Sequence, residues 1–390
     1  MSQRMGIEVS IAAAEAAALA NVDVVAAYPI TPQTHIVEHL AELVADGSLN
    51  AEYIAVESEH SAISACLGAS AAGGRTFTAS ASQGLALMHE ILFAASSMRM
   101  PIIMAVANRA ISAPINIWAD HSDIMPQRDT GWGQVFAQNG QEVFDLILQA
   151  FKVAEDHRVQ LPIMVNMDGF ILSHMIEAIE MLDTNEVKSF LPEMNPLRML
   201  DPELPRSIGA FGAQNVYTEV KMAQDMALDQ SALVWEDVWN EFSEKFGRRY
   251  KSLDTCQTED ADTIFITMGS LSETARSAII EMRETEEKVG FINLRLWRPF
   301  PGKILKKAIG NAKKVIVIDR MLSPGSQGGP LGLELRATYC NEIKHPKIWN
   351  FIVGLGGRLI SRQTLKKIHE DVRGNKHLPE KYYLYDARVK

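Results

Sequence analysis

At 390 residues and 47% apolar side chains, the chain is too long for one average domain and rich enough for two real cores. Its 38 Lys and Arg face 48 Asp and Glu, a net charge of −10 with no dense basic cluster, which excludes a phosphate backbone as partner. Three cysteines, Cys66, Cys256 and Cys340, stand far apart without CxxC spacing, so a reducing compartment is expected, no zinc or iron–sulfur site lies within the chain, and each thiol is expected as a small buried hydrophobe.

The N-terminus passes from polar residues into an alanine-rich helix, with no basic-then-apolar leader and no uncharged apolar run long enough to span a bilayer. A cytoplasmic protein that does not enter the membrane is therefore expected. From Gly6 to about Asn166, strands at 23–28, 53–56, 75–79, 101–107 and 161–166 alternate with helices at 7–20, 33–45, 60–72, 83–97 and 141–156. That alternation predicts a parallel sheet with helices on both faces. Residues 184–214, rich in Pro, Met and acids, read as an ordered connector, and a long helix at about 217–247 follows. A second α/β unit begins near Ala261, with four strands (ADTIFITMG, KVGFINL, KKVIVIDR, KIWNFIVG) and helices at 271–286, 302–309 and 330–339. The expected fold class is α/β with two doubly wound domains, 1–250 including the connector helix and 258–390.

Two glycine-rich turns in the second unit invite a ligand. Gly354-Leu355-Gly356-Gly357 fails the dinucleotide fingerprint, because Leu359 stands where a glycine is needed. Gly325-Ser326-Gln327-Gly328-Gly329 precedes a helix and reads either as an anion cradle or, preferably, as a structural turn.

The chemistry-bearing residues cluster at the carboxyl ends of the first unit's strands, where open α/β sheets collect ligands. Tyr28-Pro29-Ile30-Thr31-Pro32-Gln33 fixes a loop and presents Thr31, either to a ligand or as an N-cap with Pro32 in the first helical position. Glu57-Ser58-Glu59-His60 opens an apolar helix, and read alone it is a cap with an acidic first turn. Asn108-Arg109 leads into a loop of more than 20 residues carrying Trp118, Asp120, His121, Asp123 and Trp132. Arg109, rooted at a strand end, suits a carboxylate clamp; the plainer alternative is a structural ion pair with an aspartate. His60, His121 and His174 are each isolated, without metal-ligand spacing.

Taken in order, YPITP, VESEHSA, FTASASQGLALMHE, ANRAISAPINIW with DHSD and QRDTGW, MDGFILSH, MGS (268–270), WRPFP (297–301) and GLGGR (354–358) resemble the alpha subunit of pyruvate:ferredoxin oxidoreductase from about residue 6 to about residue 370. The resemblance implies a thiamine-diphosphate enzyme that decarboxylates a 2-oxoacid, reduces ferredoxin through iron–sulfur clusters and acylates coenzyme A. It implies a pyrimidine-binding first domain and a transketolase C-terminal-like second domain. Glu59 then matches the glutamate that shares a proton with the aminopyrimidine N1′. Thr31 and Arg109 match substrate contacts, Pro29 and Ile30 the wall, and Ser82, Gln83 and Asn108 neighbouring positions.

Such enzymes bind pyrophosphate and Mg²⁺ through Gly-Asp-Gly followed by a distant Asn; Met167-Asp168-Gly169 with Asn195 lacks the first glycine, and no metal ligand is assigned to this chain. A beta subunit is expected to bring Mg²⁺, the pyrophosphate site and a 4Fe-4S cluster. Gamma and delta subunits are expected to bring further 4Fe-4S clusters and the coenzyme A chemistry. Pyruvate is the preferred substrate by whole-chain resemblance; a branched-chain 2-oxoacid, or a non-catalytic assembly subunit, are the alternatives.

Overall fold

The computed structural model describes residues 3–374 and 381–388. The first half runs β1 (Gln3–Glu8), α1 (Val9–Leu19), β2 (Val24–Ala27), α2 (Thr34–Ala45), β3 (Glu52–Ala55), α3 (Glu59–Ala71), β4 (Thr76–Ser80), α4 (Ser82–Leu87), α5 (His89–Ser97) and β5 (Ile102–Asn108). After the long loop come β6 (Gly133–Phe136), α6 (Gly140–Glu155), β7 (Ile163–Asp168), β8 (Ile176–Met181), α7 (Thr184–Phe190) and α8 (Gln214–Phe246). The second half holds β9 (Leu253–Cys256), β10 (Thr263–Thr267), α9 (Leu271–Arg283), β11 (Val289–Leu294), β12 (Leu296–Arg298), α10 (Gly302–Ile309) and β13 (Lys314–Asp319). It ends with α11 (Pro330–Thr338), β14 (Lys347–Ile352), α12 (Arg362–Gly374) and β15 (Tyr383–Leu384).

The first sheet has the order β12-β6-β7-β5-β4-β2-β3, parallel except for β12. Its centre is dry on both faces. All seven residues of β5 and all six of β7 are buried, as expected for strands sandwiched between helix layers. On one face α1 contributes Val9, Ala12, Ala13, Ala16 and Ala17, all without exposure, and its small side chains let α2 and α6 pack close beside it. The chain leaves β2 for β3 on one side and returns to β4 on the other, so a crevice opens between the carboxyl ends of β2 and β4.

The second sheet, β15-β14-β13-β10-β11-β9, has six strands rather than the four expected, because the short edges β9 and β15 join it. The amphipathic helix α12, not anticipated, covers one face with Leu365, Ile368 and Val372. Other departures are local. The expected helix at 83–97 divides into α4 and α5 at Met88, and residues 7 and 8 close β1 instead of opening a helix. β1 pairs antiparallel with β8 as a separate ribbon. The connector begins with α7, which Asp183 and Glu186 start with a reciprocal capping box. The cysteines differ from one another: Cys66 is buried, Cys256 is half-buried and Cys340 is exposed, so only Cys66 is the expected buried thiol. No helix among the described residues is long and apolar enough to cross a membrane.

Candidate active site

The crevice at the carboxyl ends of β2, β4 and β5 gathers the residues singled out from sequence. Glu59 is the first residue of α3 and is only 6% exposed. Ser58 caps the helix, its hydroxyl accepting from the Ser61 N–H at 3.2 Å, with Glu59 the acidic residue of the first turn, as the local reading of the segment expects. Its carboxylate has no hydrogen-bond partner among the described residues. A Cβ added to Gly84 in α4 would lie 2.6 Å from Glu59 Oε1 and 2.7 Å from Ser80 Oγ, so glycine alone leaves the carboxylate its place. Ser80 Oγ, Gln83 Nε2 and Asn108 Oδ1 are likewise buried without partners. Buried polar atoms are ordinarily paired, so these open valences along one crevice make it a candidate site for a polar ligand.

Thr31 is exposed on the loop after β2. The helix starts at Thr34 with Gln33 as its N-cap, so neither Thr31 nor Pro32 takes the capping roles considered for them. Gln33 Nε2 instead ties the loop back to the Tyr28 carbonyl at 2.9 Å. Pro29 is exposed and Ile30 half-buried beside it.

Arg109 is 7% exposed and its guanidinium forms no ion pair among the described residues, so the structural-pair alternative has no direct contact behind it, although Asp123 is near enough to act on it electrostatically. Its Nη1 donates to the Thr31 carbonyl at 2.8 Å and its Nε to the Asn116 carbonyl at 2.9 Å. Nη2 has no partner among the described residues. Burial lowers the guanidinium pKa from its ordinary value, with nearby Asp123 opposing.

Asp123, which sequence reasoning left without a role, organises this cluster. Its Oδ2 accepts from the N–H groups of Ser82 (3.0 Å) and Arg109 (2.9 Å); its Oδ1 accepts from Ile124 N–H (2.7 Å) and Asn108 Nδ2 (3.3 Å). Burial pushes the Asp123 carboxyl up to about 7, against these hydrogen bonds. Ser82, with φ 48, spends its hydroxyl on the Ala110 carbonyl and Gln83 Oε1, so it frames the site and does not reach into it. The only early signal for Asp123 was its place in a long loop dense with charged and aromatic residues.

Asp168 ends β7 and turns away from this crevice to the second half. Its carboxylate accepts from Ser270 N–H at 2.8 Å and Ser270 Oγ at 2.5 Å, meets Arg320 Nη1 at 2.8 Å and lies 3.0 Å from His121 Nε2. Burial raises its pKa, but Arg320, His121 and Ser270 overrule burial and hold it below the usual carboxylate range. Asn195 lies elsewhere: its carbonyl faces His157, and neighbouring Pro192 O accepts from Arg75 at the opposite end of the sheet. The two residues are not brought together. The 325–329 turn is structural too, because Asp319 takes the Leu331 and Gly332 N–H groups at the start of α11.

His174 is not isolated as its sequence position suggested. It lies against His35 with ring centroids 4.8 Å apart, and His35 Nδ1 sits 2.6 Å from Glu8 Oε1. Their ligand atoms fall within 4.8 Å of one another, and Glu8 is engaged with His35 directly.

Residues 15–239 match the family model described as pyruvate flavodoxin/ferredoxin oxidoreductase, thiamine diphosphate-binding, and residues 261–365 match pyruvate:ferredoxin oxidoreductase core domain II. The chain is 48% identical over 360 residues to the pyruvate synthase subunit PorA of Methanocaldococcus jannaschii, covering 92% of each. It is 45% identical over 364 residues to the ketoisovalerate oxidoreductase subunit VorA of Pyrococcus abyssi, covering 93% of this chain and 91% of that one. Among solved structures, 2-oxoglutarate:ferredoxin oxidoreductase from Magnetococcus marinus superposes with a TM-score of 0.73 at 18% identity; 95% of this chain is covered, and it spans 65% of that chain. A split-gene transketolase superposes at 0.54 and 11% identity, covering 95% of this chain and 99% of that one, a likeness of fold alone. A family model over more than half the chain and relatives matched end to end agree: the chain belongs to the pyruvate:ferredoxin oxidoreductase family.

Proposed function

We propose that the chain is the alpha subunit of a multi-subunit, thiamine-diphosphate-dependent pyruvate:ferredoxin oxidoreductase, which interconverts pyruvate, coenzyme A and oxidised ferredoxin with acetyl-coenzyme A, carbon dioxide and reduced ferredoxin. The observation that carries this reading is Glu59, a buried carboxylate with no hydrogen-bond partner among the described residues, facing a position where only glycine fits. A carboxylate so placed, without a protein partner, is open to a donor that arrives with a ligand. The protonated N1′ of an aminopyrimidine is such a donor.

Thiamine diphosphate, when bound, supplies the electron sink that lets a 2-oxoacid lose carbon dioxide. Glu59 holds the proton at N1′. Gln83 Nε2 and Asn108 Oδ1 offer an unused donor and acceptor alongside. Arg109 turns Nη2 and the remaining Nη1 proton to the substrate carboxylate, and the Thr31 hydroxyl, Pro29 and Ile30 line the approach. Tight pairing with a carboxylate that must depart opposes decarboxylation, so Arg109 orients substrate more than it accelerates its reaction.

Asp168 is fully engaged by Arg320, His121 and Ser270, so Mg²⁺ and the pyrophosphate are assigned to a beta subunit, along with a 4Fe-4S cluster. Gamma and delta subunits complete the electron path to ferredoxin, and the assembly is assigned to the cytoplasm. Residues 1–250 are assigned as the pyrimidine-binding half and 258–390 as the transketolase C-terminal-like half.

The test is reconstitution with the partner subunits and Glu59→Gln. Pyruvate-dependent dye reduction should fall by ~10²-fold or more, the range for a proton-handling group. Near-normal turnover would instead make the chain a scaffold. Running 3-methyl-2-oxobutanoate beside pyruvate ranks the branched-chain alternative.

A further inference from the structure

The Gly354–Gly357 turn lies in the second half, yet it is built onto the loop that shapes Arg109. Gly356 N–H donates to Asp120 Oδ2 at 3.0 Å, and the Gly356 carbonyl accepts from Asn116 Nδ2 at 3.2 Å. Gly357 N–H donates to the Ala119 carbonyl at 2.8 Å. Both glycines have positive φ, 57° and 80°. Side chains there are excluded by contact as well, because a Cβ on Gly356 would sit 2.6 Å from Asn116 Nδ2 and one on Gly357 would sit 2.3 Å from Trp118 Cβ. The turn is therefore a close backbone platform for Asn116–Ala119.

Asn116 joins the two sides through both side-chain groups and its carbonyl. Its Nδ2 reaches the platform, its Oδ1 accepts from Trp118 N–H at 2.8 Å, and its carbonyl accepts from Arg109 Nε at 2.9 Å. Trp118 closes the arrangement through its carbonyl, which accepts from Ala110 N–H at 3.1 Å, and through its ring, 4.8 Å from Phe170. Among the described residues no carboxylate is in ion-pair contact with the Arg109 guanidinium to aim it. Its direction is set by two carbonyls, Thr31 O and Asn116 O, and the second is held from the far half of the chain.

We infer that Asn116 is a positioning residue that couples the Gly354–Gly357 turn to Arg109, so that the second half of the chain sets the geometry with which the 2-oxoacid carboxylate is bound. This rests on the reading of Arg109 as the carboxylate clamp. A planar guanidinium loses much of a two-bond contact when it tilts, whereas Glu59 stands at the start of α3, away from the Asn116 loop, and its proton is untouched.

The test uses the assembled enzyme with oxamate, a non-reacting isostere of pyruvate, as probe, and compares Asn116→Ala and Gly357→Ala with Arg109→Ala and the double variant Arg109→Ala/Asn116→Ala. Asn116→Ala should weaken oxamate binding about tenfold, equivalent to ~1.4 kcal/mol. It should raise the KM for pyruvate in step, with kcat and thiamine diphosphate affinity within about twofold of the parent. Gly357→Ala, which attacks the contact from the other side, should reproduce that split if it folds. In the Arg109→Ala background the Asn116 change should add nothing, because the two act as one unit. Wild-type oxamate binding by Asn116→Ala, or losses that multiply in the double variant, would overturn the coupling while leaving the clamp in place. Unchanged oxamate binding by Arg109→Ala would overturn the clamp itself, and the inference with it.

Discussion

Arg320, just past β13, places Nη1 2.8 Å from the carboxylate of Asp168 at the end of β7, and both side chains are nearly free of solvent contact. The pair is one of the buried contacts that pin the two halves together, with Arg295 and Glu142 another. Removing the charge from one side leaves a buried guanidinium uncompensated, so Asp168→Asn should destabilise the chain by ~3 kcal/mol or more. Its carboxyl is held below its ordinary value of 3.8, so its contribution is present above that pH and lost as pH falls towards the folded value. Melting temperatures of parent and variant should therefore differ by a constant gap from about pH 5 upward and converge below about pH 4. A gap that widens on acidification would refute this assignment.

Gly84 offers a substitution that should help the helix and harm the site. Alanine is favoured over glycine in helices by about 0.8–1 kcal/mol, and α4 adopts ordinary helical backbone there. The new methyl group would press on Glu59 Oε1 and Ser80 Oγ. Gly84→Ala should keep the circular dichroism spectrum and thermal midpoint of the parent, while calorimetry of the assembled enzyme finds thiamine diphosphate binding weakened by about tenfold or more.

Asp123 should impose an opposite pH dependence to Asp168. Its folded carboxyl titrates at about 7 against an ordinary 3.8, because burial outweighs the hydrogen bonds it receives. The folded state then holds a proton that the unfolded state has lost, so this group's stabilisation is full below pH 3.8 and declines as pH rises to about 7, flattening beyond. Denaturant midpoints measured across that window should show a downward component in the parent that Asp123→Asn lacks. Asp123→Ala should be the more damaging change, since it orphans the Ser82, Arg109 and Ile124 N–H groups together, and ~3 kcal/mol or more is expected.

Thiol chemistry separates the three cysteines. Cys340 is exposed and Cys66 is fully buried, with its thiol pushed up to about 12 by burial. At about pH 8 an aromatic disulfide reagent should modify Cys340 first and leave Cys66 unmodified until the chain is unfolded. Rapid labelling of Cys66 in the native protein would contradict its place beneath β4, where Sγ lies 3.6 Å from the Phe77 carbonyl.

The parts of the fold legible in the sequence were those written in local patterns. Buried runs such as Ile102–Asn108 and Val289–Leu294 are long, apolar and bounded by turns, and they stand as β5 and β11. β6 was hidden because Gly133–Phe136 is short and sits at the end of a long loop; it is a strand by virtue of partners on β7 and, from a distant part of the chain, on β12. The ribbon of β1 and β8 was hidden for a similar reason, its charged residues giving no buried face. At the site, Glu59, Thr31 and Arg109 could be named because each follows a strand end in a recognisable segment. Asp123 and Asn116 could not, since their importance lies in backbone groups they hold, and a side chain that receives an N–H from the start of α4 and another from beyond β5 leaves no mark in its own surroundings.

β12 has a bearing on synthesis as well as on architecture. Leu296 and Arg298 pair with Val135 and Gln134, so the edge of the first sheet stays bare until residues far into the second half have left the ribosome. Nascent chains of this protein carry the outer edge of β6 unpaired from the emergence of Phe136 to that of Arg298, and a bare sheet edge is an invitation to pairing with a neighbouring chain.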